Sequence, residues 1–289
     1  MITDNVSKVV DKMIMVKLNC SYDTGYRYSP DVQELVTEEK KCNSSMLKTG
    51  VSMYDKYRIS EFTRALSTLR TFYTDNTLPW DTKSWRVIPS SKYKDFKDTL
   101  ETYITECQDA YQKVFIDEYD DLKSSFEDNK GDLDMEFPTK ESFEDALQIE
   151  YDMGAAASTS DIRIQGIDQE ARRELKESME KQYETKIKTG VSDIVDRLSK
   201  AVTDLSDRTS QEDQNGKKYK RSLENLNELT DIVENLNITG DKRIKEACQT
   251  IREDICQWSP EAIKTTPMVR DGINEVSGSV VEKLSTISV

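Results

Sequence analysis

NTLPWDTKSWRVIPSSKYKDF, Asn76 to Phe96, holds two of the chain's three tryptophans (Trp80, Trp85) and two of its six prolines (Pro79, Pro89), between segments that read as long polar helices. Each proline biases the residue before it, Leu78 or Ile88, away from the α region. The helix arriving from Arg58 is therefore expected to stop near Asp75, and a new one to begin after Pro89 with Ser90 or Ser91 as its cap. So many rings and fixed backbone angles in one short stretch read as a structural knot. Asp81, Lys83 and Arg86 flank the rings. Because Trp and Arg dominate binding hot spots, Trp80, Trp85, Arg86 and Asp81 are the candidate partner-binding residues. The competing reading is that the rings close the end of a helical bundle.

N-terminal to the knot, Met13 to Leu18 suits a short strand, with Gly25 in a turn behind it. Ser29-Pro30-Asp31 reads as an N-cap with proline at the first helical position, opening a helix that Gly50 ends. A second helix, from about Met53 to Thr74, carries Ile59, Phe62, Leu66, Leu69 and Phe72 at spacings of three and four. Beyond the knot, Lys92 to Lys130 reads as one long helix with an unusually aromatic stripe, including Tyr103, Tyr111, Phe115 and Tyr119. Core packing explains those tyrosines more simply than a platform for stacked bases.

From Gly131 to Gly166 the pattern changes to Phe137-Pro138, a short helix near Glu141 to Leu147, and alternation at Ile149, Tyr151 and Met153 with Ile162 and Ile164 opposite. That predicts a hairpin, or a small sheet completed by Met13 to Leu18. Asp168 can cap the next helix. Glu170 to Ser210 is coiled-coil-like, with Leu175, Met179, Tyr183, Ile187, Val191, Leu198, Val202 and Leu205 in its seam. Asn215-Gly216 turns the chain, and Lys217 to Leu236 returns as the second arm of an antiparallel hairpin. Thr239-Gly240-Asp241 opens a helix that Ser259-Pro260 stops. The Ser- and Val-rich tail predicts one more short, fraying helix.

The fold class is mainly α: an elongated antiparallel helical bundle with coiled-coil hairpins and a small β element. Two regions are expected, 1–166 with the strands and the knot, and 167–289 with the helical hairpin and tail. At 289 residues, 36% hydrophobic and 33% charged, the chain favours long exposed helices over a thick α/β core.

Composition also excludes chemistry. A net charge of −14 disfavours a sequence-independent grip on nucleic acid phosphates. There is no histidine, so Ser/His, Cys/His and His-based zinc sites are ruled out. The five cysteines are scattered and form no CxxC, which reads as free thiols in packing roles. No GxxxxGK[ST] or GxGxxG is present, and no cofactor is expected. The acidic run Asp117 to Asp121 and its neighbours read as solvated helix face, so no metal is assigned. Lys217-Lys218-Tyr219-Lys220-Arg221, the one compact basic patch, reads as the start of a helix. No apolar run approaches bilayer length and no leader pattern is evident, so the expectation is a non-enzymatic protein of the cytoplasm, without membrane contact.

NTLPWD (Asn76 to Asp81), WRVIPSSKYKDF (Trp85 to Phe96), FP at Phe137-Pro138, DIRI at Asp161 to Ile164 and RSLENLNELTDIVENLNITGD (Arg221 to Asp241) occur in that order. In this the chain resembles a family of phage and bacterial proteins of unknown function, encoded beside MoxR/CobS-type AAA+ ATPases and von Willebrand A domain proteins. The resemblance covers about residues 50 to 245. It implies a phage-type accessory or adaptor that works through protein–protein contacts, with a MoxR-like AAA+ ATPase as partner. The family has no established catalytic residues to transfer. Two alternatives stand beside it: a counter-defence inhibitor whose acidic helices bind a host defence protein, as a DNA mimic would, and a self-assembling structural protein in which copies of the chain form a homo-oligomer.

Overall fold

Helix accounts for 68% of the computed structural model and strand for 11%, which makes the fold mainly α with a small antiparallel sheet. The structure describes residues 6–81, 84–157, 166, 168–210 and 216–287. In chain order the elements are α1 (Val6–Val10), β1 (Met13–Ser21), β2 (Tyr26–Tyr28), α2 (Pro30–Lys40), β3 (Gly50–Ser52), α3 (Ser60–Asp75), β4 (Leu78–Pro79), β5 (Arg86–Pro89), α4 (Tyr93–Tyr111), α5 (Tyr119–Asn129), α6 (Lys140–Glu144) and β6 (Gln148–Ala155). The remainder is helical: α7 (Gln169–Ser210), α8 (Gly216–Leu236), α9 (Lys242–Thr250), α10 (Pro260–Thr265) and α11 (Pro267–Ser285).

The chain forms two units, each assembled from separated segments: 1–17, 74–96 and 152–289 in the first, 18–73 and 97–151 in the second. The boundary expected at 166–167 falls inside the first unit.

In the first unit the knot is a ladder. β4 pairs antiparallel with β5 (Leu78 with Val87, Pro79 with Arg86), and β5 pairs with β1 from Met13↔Pro89 to Val16↔Arg86. The sheet order is β4-β5-β1-β6. The expected sheet joining Met13–Leu18 to the strand at Ile149–Met153 is therefore present; Asp161 to Ile164, its other expected member, lies outside the described residues. The helix before the knot ends at Asp75, as the prolines dictate. The one after it starts differently, with a 3-10 turn, Ser90–Lys92, whose cap position is Pro89 and carries no side-chain cap bond. The Ser90 amide is instead donated to the Lys12 carbonyl at 2.7 Å, which ties the turn to the start of β1.

The core of this unit runs along α7, whose buried residues Tyr183, Ile187, Val191, Ile194, Leu198, Val202 and Leu205 follow the expected seam. Asp168 caps the helix by accepting from the Ala171 amide at 2.8 Å. Helices α8 and α11 both pack on α7. The tail is not a short fraying helix: α11 has 19 residues and buries Ile273, Val280 and Leu284 in the shared core. Its Gly, Ser and Val content predicts poor helix propensity, but tertiary burial supplies most helical stability and overrides it.

The second unit is built on aromatic rings. Tyr54, Phe62, Tyr111, Phe115, Phe137 and Phe143 meet mostly edge-to-face or tilted, with centroids 4.6–6.1 Å apart. The Tyr111 hydroxyl donates to the Phe143 carbonyl and that of Tyr119 to the Pro138 carbonyl, both at 2.9 Å, so these tyrosines are core residues with satisfied tips. The helix expected over Lys92–Lys130 is not uniform, because Gln112–Asp117 is π-helical and buries Val114, Phe115 and Ile116 in succession. Three consecutive buried residues exceed one face of an α-helix, and the wider turn re-aims the stripe beyond it. The helix expected to run to Gly50 ends instead at Lys40, where Lys41 takes the left-handed conformation (φ 50°), and Gly50 opens β3. The helix expected from Met53 begins at Ser60.

Candidate functional site

The knot residues occupy four different settings. Trp80 is 5% exposed, with its ring 5.4 Å from Tyr183 and the Lys186 ammonium 5.0 Å above its centroid. It is a core ring with the Lys186 cation over its face. Trp85 is half-buried against the same core. Asp81 is a turn residue: its Oδ1 accepts from the amides of Ser84 and Trp85 at 2.9 and 3.0 Å, while the Trp80 amide reaches back to the Trp85 carbonyl at 3.0 Å. Lys83 lies outside the described residues.

Arg86 anchors the loop. Its Nε donates to the Thr77 hydroxyl, and its Nη2 to the carbonyls of Thr74 (3.1 Å) and Thr77 (2.8 Å). Arg197 of α7 converges on the same place, donating to the carbonyls of Asp75 (2.8 Å), Thr74 (3.1 Å) and Thr77 (3.1 Å) and pairing with Asp193 at 2.5 Å. Two guanidiniums thus fill the carbonyl end that follows the helix, where backbone acceptors lack intrahelical donors and the dipole favours cations. Burial pushes the Asp75 carboxyl above its usual value, with Arg197 and Arg86 opposing that shift.

From Asp75 a cleft of about 490 Å³ opens between α7 and α8. Its floor is apolar, from Ala201, Leu205, Leu226, Leu229 and Ile232, and its walls carry Arg197, Lys200, Asp204 and Arg208 on α7 and Glu228 on α8. Arg208 donates to the Ser222 hydroxyl across it. The sequence pointed to the knot and not to this cleft. Arg197, Lys200 and Arg208 look like ordinary outward charges of a long helix, and nothing local marks them as lining a recess shared with residues far along the chain.

Other sequence candidates resolve into structure. Tyr219, the aromatic residue of the basic patch, is 1% exposed and donates to the Arg208 carbonyl at 3.4 Å, so it is not available for stacking. Among the described residues no group of three or more Cys, Asp and Glu side chains could hold a metal ion. Burial raises the thiols of Cys107 and Cys256 to about 11 and that of Cys248 to about 12, which keeps them protonated and poorly nucleophilic. Among the described residues no helix is long and apolar enough to cross a membrane. Compared with known proteins, the chain matches no family model, no curated protein and no solved structure.

Proposed function

We propose that this chain is a non-enzymatic accessory protein that acts through protein–protein contacts, with the α7–α8 cleft as its receiving surface. The observation that carries the reading is the cleft itself, an apolar floor rimmed by charges of both signs, with Asp75 and the anchoring Arg197 in its lining. Such a groove suits the apolar face of an amphipathic helix, with rim charges setting register and orientation. On this reading α7 and α8 serve as the coiled-coil hairpin expected from the sequence, and the knot is the fixed base that holds their spacing. The family resemblance adds a partner class, an AAA+ ATPase of the MoxR kind.

The test is co-purification with such an ATPase and measurement of its ATP turnover, using wild type, a rim variant, Lys200→Glu, and a floor variant, Leu229→Lys. The expected result is capture and altered turnover with wild type, and loss of both with variants whose melting is unchanged. Capture that the variants leave intact removes the cleft from the proposal. Absence of both capture and a turnover effect removes the ATPase.

A further inference from the structure

The second unit carries a different surface. Five of the large apolar side chains that stand exposed, Tyr26 (54%), Tyr28 (55%), Leu35 (66%), Met46 (81%) and Tyr57 (74%), fall within about thirty residues of one another in sequence. Tyr26 and Tyr28 lie on β2, which among the described residues pairs only with β3, in a two-stranded sheet. The direction of every backbone group on β2 follows from two flanking bonds. The Met53 amide donates to the Gly25 carbonyl at 2.8 Å, and the Ser29 amide to the Thr49 carbonyl at 3.2 Å. Hydrogen-bonded pairs alternate along an antiparallel ladder, so 25/53, 27/51 and 29/49 are bonded pairs. Arg27 therefore spends its N–H and C=O on Val51, while those of Tyr26 and Tyr28 point away from β3 at an open edge.

We propose that this edge pairs antiparallel with the same edge of a second copy of this chain, about a two-fold axis through Arg27. The sequence Tyr26-Arg27-Tyr28 reads the same in both directions, so Tyr26 of one copy faces Tyr28 of the other. Each such pair exchanges two N–H···O bonds, and every outward group of the two tyrosines is satisfied. The same register stacks the rings as cross-strand aromatic pairs.

Charge favours the same occupant. The chain carries −14, which opposes association of like copies, yet Asp23 to Arg58 contains six acidic and six basic residues and is locally neutral. At the axis the two Arg27 side chains meet, and each arrives already neutralised by its own Asp23, whose Oδ1 accepts from Arg27 Nη1 at 2.9 Å while Oδ2 accepts from Nη2. A short strand with a free charge at its centre is how proteins blunt an edge. The bidentate Asp23 contact removes that free charge, and it draws the second guanidinium towards a carboxylate. Arg27 gives up only a 3.3 Å bond to the Tyr26 carbonyl when the second strand binds.

The experiment uses the full chain. Size-exclusion chromatography with light scattering across a concentration series should show mass rising from one chain towards two. The double variant Tyr26→Lys, Tyr28→Lys should stay at one chain mass with unchanged circular dichroism. Non-hydrogen-bonded pairs bring Cα atoms to about 4.5 Å, inside the range of about 4.4–6.8 Å that a disulfide spans. Arg27→Cys should therefore form a thiol-reversible dimer under mild oxidant, whereas wild type and Met46→Cys, at a more exposed site, should not. A wild type that is monomeric at every concentration overturns the proposal, and assigns the edge to blunting or to another protein's strand. A dimer that survives the double variant, or equal cross-linking of Arg27→Cys and Met46→Cys, overturns it as well. Should the double variant fail to fold, the cross-linking comparison decides alone.

Discussion

Arg86 and Arg197 donate to the same two backbone oxygens, the carbonyls of Thr74 and Thr77. One arginine belongs to the strand that leaves the knot and the other to the long helix beneath it. Thr74 lies in the last turn of the terminating helix and Thr77 just beyond its end, where backbone carbonyls have no intrahelical donor. Chain reversal at Asp75, the hairpin-like ladder of β4 and β5 and the seating of α7 are thus coupled through three acceptors.

Arg197→Ala should be costly. It withdraws three hydrogen bonds from carbonyls in a partly buried place and leaves Asp193 without its cation, and bonds to charged groups contribute about 1.5–3 kcal/mol each when one partner is lost. Losses are not additive, so a total of about 2–4 kcal/mol is expected from urea unfolding midpoints at unchanged slope. Arg197→Lys should recover little, because an ammonium is a point charge that cannot fork across three acceptors. In a double-mutant cycle with Arg86→Ala the coupling should be non-zero, since Arg86 still reaches two of the three carbonyls.

Trp80→Ala and Trp85→Ala should separate. Trp80 is nearly fully buried against Tyr183, and its truncation is expected to cost about 3–5 kcal/mol. Trp85 is half-buried and should cost clearly less. Thermal melts of the two variants measure this. A Trp80→Ala protein that melts like wild type would return that ring to the list of interface anchors.

How much of this was legible depends on where the information sits. The seam of α7 is periodic over many turns and could be read off directly, as could the capping by Ser29 and Asp168, each of which accepts from an amide three residues on. The break at Pro79 and Pro89 was equally clear, but Leu78-Pro79 and Arg86–Pro89 are too short to announce themselves as strands, and their pairing is set by β1, far upstream. The π-helical turn at Gln112–Asp117 shows in the sequence only as the run Val114-Phe115-Ile116, which widens the apolar stripe with no Gly or Pro to mark a break. The Arg86–Arg197 anchor and the cleft beside it were invisible for a plainer reason. Backbone carbonyls have no sequence signature, and the arginine that finds them looks like any other on a helix.

Gly25→Ala should destabilise far more than Gly240→Ala. Both glycines have positive φ, +69° and +66°, so each substitution carries a left-handed penalty of about 1–2 kcal/mol. At Gly240 an added Cβ meets nothing within 4 Å among the described residues; at Gly25 it would sit 2.2 Å from the Tyr54 ring. Tyr54 is held among Phe115, Phe137 and Phe143 and cannot step aside cheaply. Comparing the two unfolding midpoints isolates the clash from the strain, and equal losses would mean that the aromatic core yields.

Stability should decline on the alkaline side in a way that depends on Cys248. Burial raises its thiol from 9.0 to about 12, so the folded state holds a proton that the unfolded chain releases above 9.0. The unfolded state then binds fewer protons than the native one, and the unfolding free energy falls as pH rises. The contribution of the raised thiol is fully present below 9.0 and is lost progressively towards about 12. Cys107 and Cys256, raised to about 11, act in the same direction. Cys248→Ala removes one titrating group from the comparison, so its midpoint-against-pH curve should be flatter than wild type above 9.0 and parallel to it below. Curves that stay parallel throughout would show that Cys248 ionises in the folded protein as readily as in the unfolded chain.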